Sequence, residues 1–138
     1  MVIVPVLPDG HIALIRNFRI AIGEYTLECP AGTLGAGEDP AACAARELIE
    51  ETGYQAEKIT PLGWFYTSPG LTDEKMHAFA ATGLTEVGQR LEEDEDIQVV
   101  PMPETEVIRL INEFGLHDAK SVIAVLRARE QGLLGPPW

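Results

Sequence analysis

Short apolar stretches lie at the start of the chain, and turn residues separate them. Val2–Leu7 and His11–Arg16 flank Pro8-Asp9-Gly10, and this arrangement predicts a β-hairpin. Apolar segments bounded by turn residues predict four more strands, at Tyr25–Glu28, Leu62–Tyr66, Met76–Ala81 and Ile97–Val100.

Three other segments have the end signals or spacing of helices. The first begins at Asp39, a good N-cap, followed by Pro40, which suits a first turn, and it ends before Gly53, a good C-terminal stop. Two further helices and a tail close the chain: about Glu104–Phe114, about Asp118–Glu130, and Gly132–Trp138. Strands interleaved with helices predict an α/β (α+β) fold with a mixed sheet sandwiched between helices.

The composition predicts one domain over residues 1–138, because 46% of the residues are hydrophobic and only 23% are charged. A net charge of -12 argues against nucleic acid or an anionic membrane as the main partner. No stretch approaches the roughly 18 apolar residues of a membrane span, and Met1–Leu7 lacks the basic region of a signal peptide. Cys29 and Cys43 have no zinc-type spacing, so we expect buried or half-buried thiols in a reducing, cytoplasmic compartment.

Acidic residues gather on one side of the first predicted helix. Glu47, Glu50 and Glu51 are related by three and four residues, so they share a face beside an apolar stripe. Exposed carboxylates at this spacing repel by a few tenths of a kcal/mol per pair, and Arg46 offsets only part of that repulsion. Carboxylate oxygens suit Mg²⁺, with Mn²⁺ as a substitute. The alternative is a solvated surface face, which is the usual role of a Glu-rich helix.

The segment GTLGAGEDPAACAARELIEETGY, residues 32–54, resembles the signature of the Nudix hydrolase family at every fixed position. Those positions are Gly32, Glu38, Arg46-Glu47, Glu50-Glu51 and Gly53. The flanking segments IRNFRIAIGEYTLECPAGTL, TSPGLTDE, LEEDEDIQVV and HDAKSVIAVL resemble the ADP-ribose pyrophosphatase branch of the family. The resemblance implies an αβα sandwich and Mg²⁺-dependent hydrolysis of ADP-ribose to AMP and ribose 5-phosphate.

The resemblance also implies a set of metal ligands. Glu47 and Glu51 would be the primary ligands, and Glu50 would be a further ligand or would hold a water. The backbone carbonyl of Ala31 resembles the backbone ligand of the family. Gly32 would permit close approach at that point, beside the metal and the substrate.

Further roles are implied outside this ligand set. Glu38 would support the loop or an outer water, and Arg46 would orient one of the glutamates, with a weaker part in catalysis itself. On the acidic loop, the alignment favours Glu93 as the general base and Glu95 as an additional metal ligand, whereas a one-residue slip would nominate Glu92. The alternative is an ordinary solvated loop, which is what runs of charge usually form.

Substrate contacts are expected upstream and downstream of the signature. Arg19 is predicted to bind a phosphate, with a surface salt bridge as the alternative. Glu28 would hold an outer water or a substrate hydroxyl, or would be an ordinary residue at a strand end. Gly70 and Leu71, which follow Pro69, are predicted to shape the pocket. Three aromatic residues are expected in the core rather than against an adenine: Phe18, Trp64 and Tyr66.

The sequence leaves alternatives for the substrate. Proteins of this branch usually carry an N-terminal extension that exchanges between two subunits and helps to bind the base, whereas this sequence begins at the first strand of the core. The alternatives are another nucleoside diphosphate-X compound, such as a dinucleotide, a nucleotide sugar or a damaged nucleoside triphosphate, and a non-catalytic nucleotide sensor. We expect a homodimer with a small-molecule partner and neither nucleic acid nor membrane as a partner.

Overall fold

The structure, a computed structural model, describes residues 1–135. Within that range the elements are, in chain order, β1 (Val2–Pro5), β2 (His11–Arg19), β3 (Glu24–Glu28), α1 (Pro40–Thr52), β4 (Tyr54–Tyr66), β5 (Lys75–Glu86), β6 (Ile97–Pro103), α2 (Glu104–Asn112) and α3 (Ala119–Glu130). Both C-terminal helices agree with the predictions to within two residues at each end.

The strands of this range form two three-stranded sheets. In the first sheet, β5 is central and pairs in parallel with β1 and antiparallel with β4. In the second sheet, β2 is central and pairs antiparallel with β3 and with β6. The predicted fold class, α/β (α+β) with helices packed around mixed sheet structure, is confirmed, although the sheet is divided into two parts.

The predicted hairpin between the first two strands is wrong in its pairing. The chain does turn there, because the N–H of Leu7 donates to the carbonyl of His11 over 2.8 Å and Val6 forms an isolated bridge with Ile12. β1 nevertheless joins β5 instead of β2. All four residues of β1 are buried, and a strand that is apolar on both faces is stable only where packed layers cover both.

β4 is much longer than predicted, since it begins at Tyr54 instead of Leu62. Gln55, Glu57 and Lys58 interrupt the apolar pattern, and all three are exposed in the structure. β4 lies at the edge of its sheet, where polar side chains are favoured because they discourage pairing with other molecules. The hydrophobic pattern therefore could not reveal this half of the strand.

Two hydrophobic layers lie on opposite faces of the first sheet. On one face, α1 packs through Cys43, Ala44 and Leu48 against Ile3 and Phe79. The layer on the other face joins both sheets to α2 and α3 through buried residues that include Val4, Leu14, Ala78, Val107 and Val125. Each fully buried aliphatic side chain contributes about 1.5 to 3 kcal/mol, so α1 is fixed firmly on the sheet. Its polar face is left at the side of a cleft between the sheets.

Three further predictions concern the cysteines, membrane-spanning segments and the C-terminal tail. Cys29 and Cys43 are buried free thiols, as expected. Among residues 1–135, no helix has both the length and the apolar character needed to cross a lipid bilayer. The predicted tail at Gly132–Trp138 lies outside the described residues from position 136 onward.

Candidate active site

Helix α1 begins and ends where its capping residues predict. Asp39 accepts a hydrogen bond from the N–H of Ala42 over 3.0 Å, and Pro40 is the first helical residue. Gly53 adopts a left-handed φ of 76°, and its N–H donates to the carbonyl of Ile49 over 2.9 Å. These two ends fix the register of α1 and therefore the direction of each glutamate on it.

Gly32 leaves the space that the Glu47 side chain occupies. A Cβ atom added at Gly32 would lie 2.2 Å from both the Cδ and the Oε1 of Glu47, which is far inside van der Waals contact. The glycine is required by this close approach and not by a left-handed backbone, because its φ is not positive. The loop before α1 and the helix are therefore fitted to each other at the carboxylate of Glu47.

Arg46 lies between three acids. Its Nε donates to the Oε1 of Glu38 over 3.0 Å, and its Nη1 donates to Glu47 over 2.9 Å and to Glu50 over 3.0 Å. Glu38 also accepts from the N–H of Gly35, and these hydrogen bonds, with that of Arg46 foremost, lower the pKa of Glu38 to about 2. The guanidinium thus ties the loop to the helix and offsets part of the negative charge.

Glu51 is an almost fully buried carboxylate on the same helix. The residue is 5% exposed, and its Oε2 accepts a hydrogen bond from the N–H of Ala31 over 3.0 Å. Burial, with a smaller effect of the neighbouring acids Glu47 and Glu95, raises its pKa to about 8. Burial also raises the pKa of Glu47. Two adjacent carboxyl groups that resist ionisation need a cation if both are to be charged at neutral pH.

This donor set fits a hard divalent cation. Glu47, Glu50 and Glu51 supply carboxylate oxygens, and the chain at Ala31 lies against Glu51. Among the described residues, no three carboxylate, imidazole or thiol side chains are already gathered closely enough to form a complete cage. A cation at α1 would therefore take part of its coordination from water or from a substrate, as Mg²⁺ commonly does.

These groups lie on a cleft of about 990 Å³. Eight of the predicted site residues line it: Arg19, Ala31, Gly32, Arg46, Glu47, Glu50, Glu51 and Glu95. Four others are not among the lining residues: Glu28, Gly70, Leu71 and Glu93. The structure therefore brings all the predicted site residues of α1 together at one cleft. Some of the predicted substrate-binding residues lie outside its lining.

The acidic loop, residues 91–96, extends along the cleft. Glu92 and Glu95 line the cleft, whereas Glu93, in the turn between them, does not; Glu92 and Glu93 are both exposed and Glu95 is half-buried. Glu95 lies near enough to Glu47 and Glu51 to raise the pKa of both. Glu93 as the base, with Glu92 as the alternative, and Glu95 as an additional metal ligand stay predictions. Because Glu92 and Glu95 line the cleft, a test of Glu93 must include variants of both.

Arg19 and Glu28 form an ion pair at the side of the cleft. The Nε and Nη2 of Arg19 donate to the two oxygens of Glu28 over 2.8 and 2.6 Å, and Lys120 donates to the same carboxylate over 2.9 Å. Glu28 is 1% exposed, and these partners together with Thr26 hold its pKa at about 2 despite burial. Arg19 is thus oriented by Glu28 and still lines the cleft. Its binding to a phosphate, and the contact of Glu28 with a substrate, stay predictions.

The segment after Pro69 contributes other residues than those predicted. Gly70 and Leu71 lie in an exposed turn, and Leu71 is 93% exposed. Glu74 and Met76, a few residues later, line the cleft instead. A short turn of polar and glycine residues gives no sequence signal for which of its side chains face inward.

The expectation that three aromatic residues lie in the core is wrong. Phe18, Trp64 and Tyr66 are 42%, 45% and 51% exposed. Phe18 lines the cleft and packs edge-to-face on Tyr25, with ring centroids 5.2 Å apart. Trp64 and Tyr66 make a similar pair on β4. An aromatic ring that packs on a second ring gains contact from it, even where the rest of its surface faces solvent.

Several residues that line the cleft were not predicted from the sequence. Those with a polar or aromatic group are Asn17, Tyr25, Thr33, Glu74, Asp94, Asp96 and Lys120. Lys120 comes from α3, about 90 residues after Glu28, and only the packing of α3 brings the two together. Tyr25 faces Phe18 across the β2–β3 pair, a register that the short turn between the strands could have indicated.

Comparisons with known proteins agree with this geometry. The profile of the NUDIX domain matches residues 1–128. An ADP-ribose pyrophosphatase of Bacillus subtilis (strain 168) is 38% identical over 125 residues, which are 89% of this chain and 68% of that protein. The chain belongs to the Nudix family. The predicted family is thereby confirmed.

Two further relatives bear on the Nudix assignment. A GDP-mannose pyrophosphatase of Yersinia enterocolitica is 36% identical over 139 residues, covering 92% of this chain and 71% of that protein. A crystal structure of an ADP compounds hydrolase has a TM-score of 0.85 and 29% identity, and the match covers 94% of this chain and 70% of that one. Similar Nudix proteins thus include proteins named for different nucleoside diphosphate compounds.

Proposed function

We propose that this Nudix protein is a Mg²⁺-dependent ADP-ribose pyrophosphatase, which hydrolyses ADP-ribose to AMP and ribose 5-phosphate. The observation that carries the proposal is the dry Glu51 carboxylate beside Glu47 in a cleft of about 990 Å³. A site of that size takes a nucleotide-sized ligand, and two carboxylates that cannot both ionise alone are suited to a divalent metal. The names of the Bacillus subtilis relative and of the solved structure support the choice of an ADP compound.

Glu47 and Glu51 would hold the metal, with the Ala31 carbonyl, Glu50 and Glu95 as further ligands. Bound Mg²⁺, for which Mn²⁺ is a substitute, supplies a Lewis acid that neutralises the diphosphate and lowers the pKa of a bound water. Arg46 orients Glu47 and Glu50 through its Nη1 and so keeps both carboxylates at the cleft.

Arg19 would bind a phosphate of the substrate. Glu28 occupies two of its guanidinium N–H groups and fixes the plane of the group, which leaves further N–H groups for an anion. Glu93 is proposed as the base that accepts a proton from the attacking water, and Glu92 and Glu95 are the competing candidates. All three belong to the acidic loop, so the base would reach the diphosphate from that loop and not from α1.

A nucleotide sugar is the second candidate substrate, and the Yersinia enterocolitica relative named GDP-mannose pyrophosphatase favours it. The chemistry would be unchanged, since the same diphosphate link is hydrolysed. A non-catalytic sensor is less favoured because all the signature carboxylates are present. We further propose a cytoplasmic homodimer: two buried free thiols suit a reducing compartment, and exposed Trp64 and Tyr66 offer apolar surface to a second subunit.

A substrate panel tests the proposal. ADP-ribose, GDP-mannose, a dinucleotide and a nucleoside triphosphate are compared by kcat/KM with Mg²⁺, with Glu51→Gln as the inactive variant and exposed Glu57→Gln as the matched control. We expect ADP-ribose to be preferred by more than tenfold, which is about 1.4 kcal/mol of transition-state binding. A smaller margin overturns the ADP-ribose assignment, and equal turnover by parent and Glu51→Gln overturns the enzyme assignment.

A further inference from the structure

The acidic loop is attached to helix α1 at its beginning. The side-chain amide of Gln89 donates to the carbonyl of Glu51 over 2.6 Å and to the carbonyl of Ile97 over 3.3 Å. The N–H of Arg90 donates to the carbonyl of Glu50 over 2.9 Å. One amide group therefore joins the helix that carries the candidate metal ligands to the strand that follows the loop.

Gly53 permits this attachment. A Cβ atom at Gly53 would lie 2.6 Å from the backbone nitrogen of Gln89 and 2.8 Å from the carbonyl carbon of Gly88. The start of the loop therefore rests directly on the end of α1. A side chain at position 53 would push the loop away, in addition to straining the left-handed backbone.

A second attachment holds the end of the loop. The hydroxyl of Tyr25 donates to the Oδ2 of Asp96 over 2.5 Å. The guanidinium of Arg16 lies 3.9 Å above the Tyr25 ring, and Phe18 packs against its edge. These contacts hold the ring from two sides, so its hydroxyl is aimed at the loop from β3.

The two attachments oppose an electrostatic repulsion. Glu95 faces Glu47 and Glu51 closely enough to raise the pKa of each, and Glu92, Glu93 and Asp94 add further negative charge to the loop. Like charges on the helix and on the loop push the two apart. A cation between them would draw them together, so the attachments and a bound cation favour the same arrangement.

We propose that Tyr25 and Gln89 are positioning residues that hold the acidic loop against the candidate metal site. The inference rests on the proposed function, because it takes Glu47 and Glu51 as ligands of a metal. Loss of either attachment increases the population of a displaced loop. Because the metal binds best when the loop is in place, its apparent affinity falls.

Tyr25→Phe tests the proposal, because it removes only the hydroxyl and keeps the ring contacts. Tyr66→Phe, on β4 outside the cleft, is the matched control. Gln89→Met, with exposed Gln55→Met as its control, tests the other attachment. Hydrogen exchange of residues 91–96 is measured in chelator-treated protein, since the N–H groups of Glu92 and Glu95 are hydrogen-bonded within the loop. Mg²⁺ binding without substrate is measured by calorimetry.

We expect Tyr25→Phe and Gln89→Met to speed loop exchange at least threefold and to weaken Mg²⁺ binding about threefold to tenfold. kcat with ADP-ribose should fall several-fold at low Mg²⁺ and recover to within about twofold at saturating Mg²⁺, with little change in KM. Asp96→Ala should add nothing to Tyr25→Phe in a double variant, since both remove the same hydrogen bond.

Parental exchange rates and Mg²⁺ affinity in Tyr25→Phe would overturn the proposal, as would equal changes in Tyr66→Phe. Should Gln89→Met fail to fold, Tyr25→Phe still decides the matter. Absence of turnover in the parent protein would overturn the proposed function separately, because the exchange and calorimetry measurements need no substrate.

Discussion

Glu51→Gln should stabilise the protein in the absence of metal while it abolishes turnover. The carboxylate is 5% exposed, and burial raises its pKa from the ordinary 4.5 to about 8. The folded state therefore binds more protons than the unfolded state between these two values. The stability that Glu51 contributes is therefore fully present below about pH 4.5, and it is lost as the pH rises toward 8.

The magnitude follows from the same two pKa values. At pH 7 the unfolded chain has lost the Glu51 proton, whereas the folded protein has kept most of it. Uptake of that proton on folding lowers the free energy of unfolding by about 3 kcal/mol, relative to a side chain that is neutral in both states. Glutamine is neutral and similar in shape, and its amide oxygen can accept the N–H of Ala31. In chelator at pH 7 to 8 we expect a melting temperature higher by roughly 10 °C.

Thermal unfolding of parent and Glu51→Gln in chelator at pH 5, 7 and 8 measures the effect, with Glu57→Gln as the control. The difference should be small at pH 5 and largest at pH 8. Added Mg²⁺ should stabilise the parent, by about 1.4 kcal/mol at ten times its dissociation constant, and should leave Glu51→Gln nearly unchanged. A variant that is less stable than the parent at pH 8, or equally stabilised by Mg²⁺, would refute the reasoning.

Three further predictions concern neighbouring residues. Gly32→Ala should weaken Mg²⁺ binding and turnover by at least tenfold, because its Cβ would lie 2.2 Å from the Glu47 carboxylate; unchanged Mg²⁺ affinity in calorimetry would contradict this. Glu28→Gln should destabilise the protein by about 3 kcal/mol at pH 7, and by less than half of that at pH 3, since a pKa lowered to about 2 gives stability that is lost as the pH falls; urea unfolding that shows a pH-independent difference would count against it. Glu93→Gln should lower kcat more than it raises KM, and a larger fall in kcat for Glu95→Gln would transfer the role of base to that residue.

Local chemistry made the helical part of the site predictable. Asp39, Pro40 and Gly53 act through backbone hydrogen bonds within a few residues, so they set the bounds of α1 without help from the rest of the fold. Once α1 is fixed, the spacing of Glu47, Glu50 and Glu51 determines that they share a face.

The surroundings of those glutamates depended on distant contacts. The β2–β3 register places Arg19 opposite Glu24 and Glu28 opposite Ile15, so it does not predict the ion pair between Arg19 and Glu28. Lys120 reaches the same carboxylate only because α3 packs against the sheet structure. The course of the acidic loop is set by the Gln89 amide and the Tyr25 hydroxyl, which bind atoms of distant segments. No periodicity records such contacts, so the sequence could name several loop acids without choosing between them.

The sequence by itself determined the family, the helix with its glutamate face and the glycine beside it, because capping, helical spacing and a missing Cβ are properties of neighbouring residues. Only the tertiary structure decided that β1 leaves its apparent hairpin partner for β5, that Glu51 is dry while Glu93 is exposed, and that Phe18 lies at the cleft instead of in the core. The burial of a carboxylate and the charges near it depend on residues that are far apart in the chain. These two factors set its pKa and its affinity for a cation.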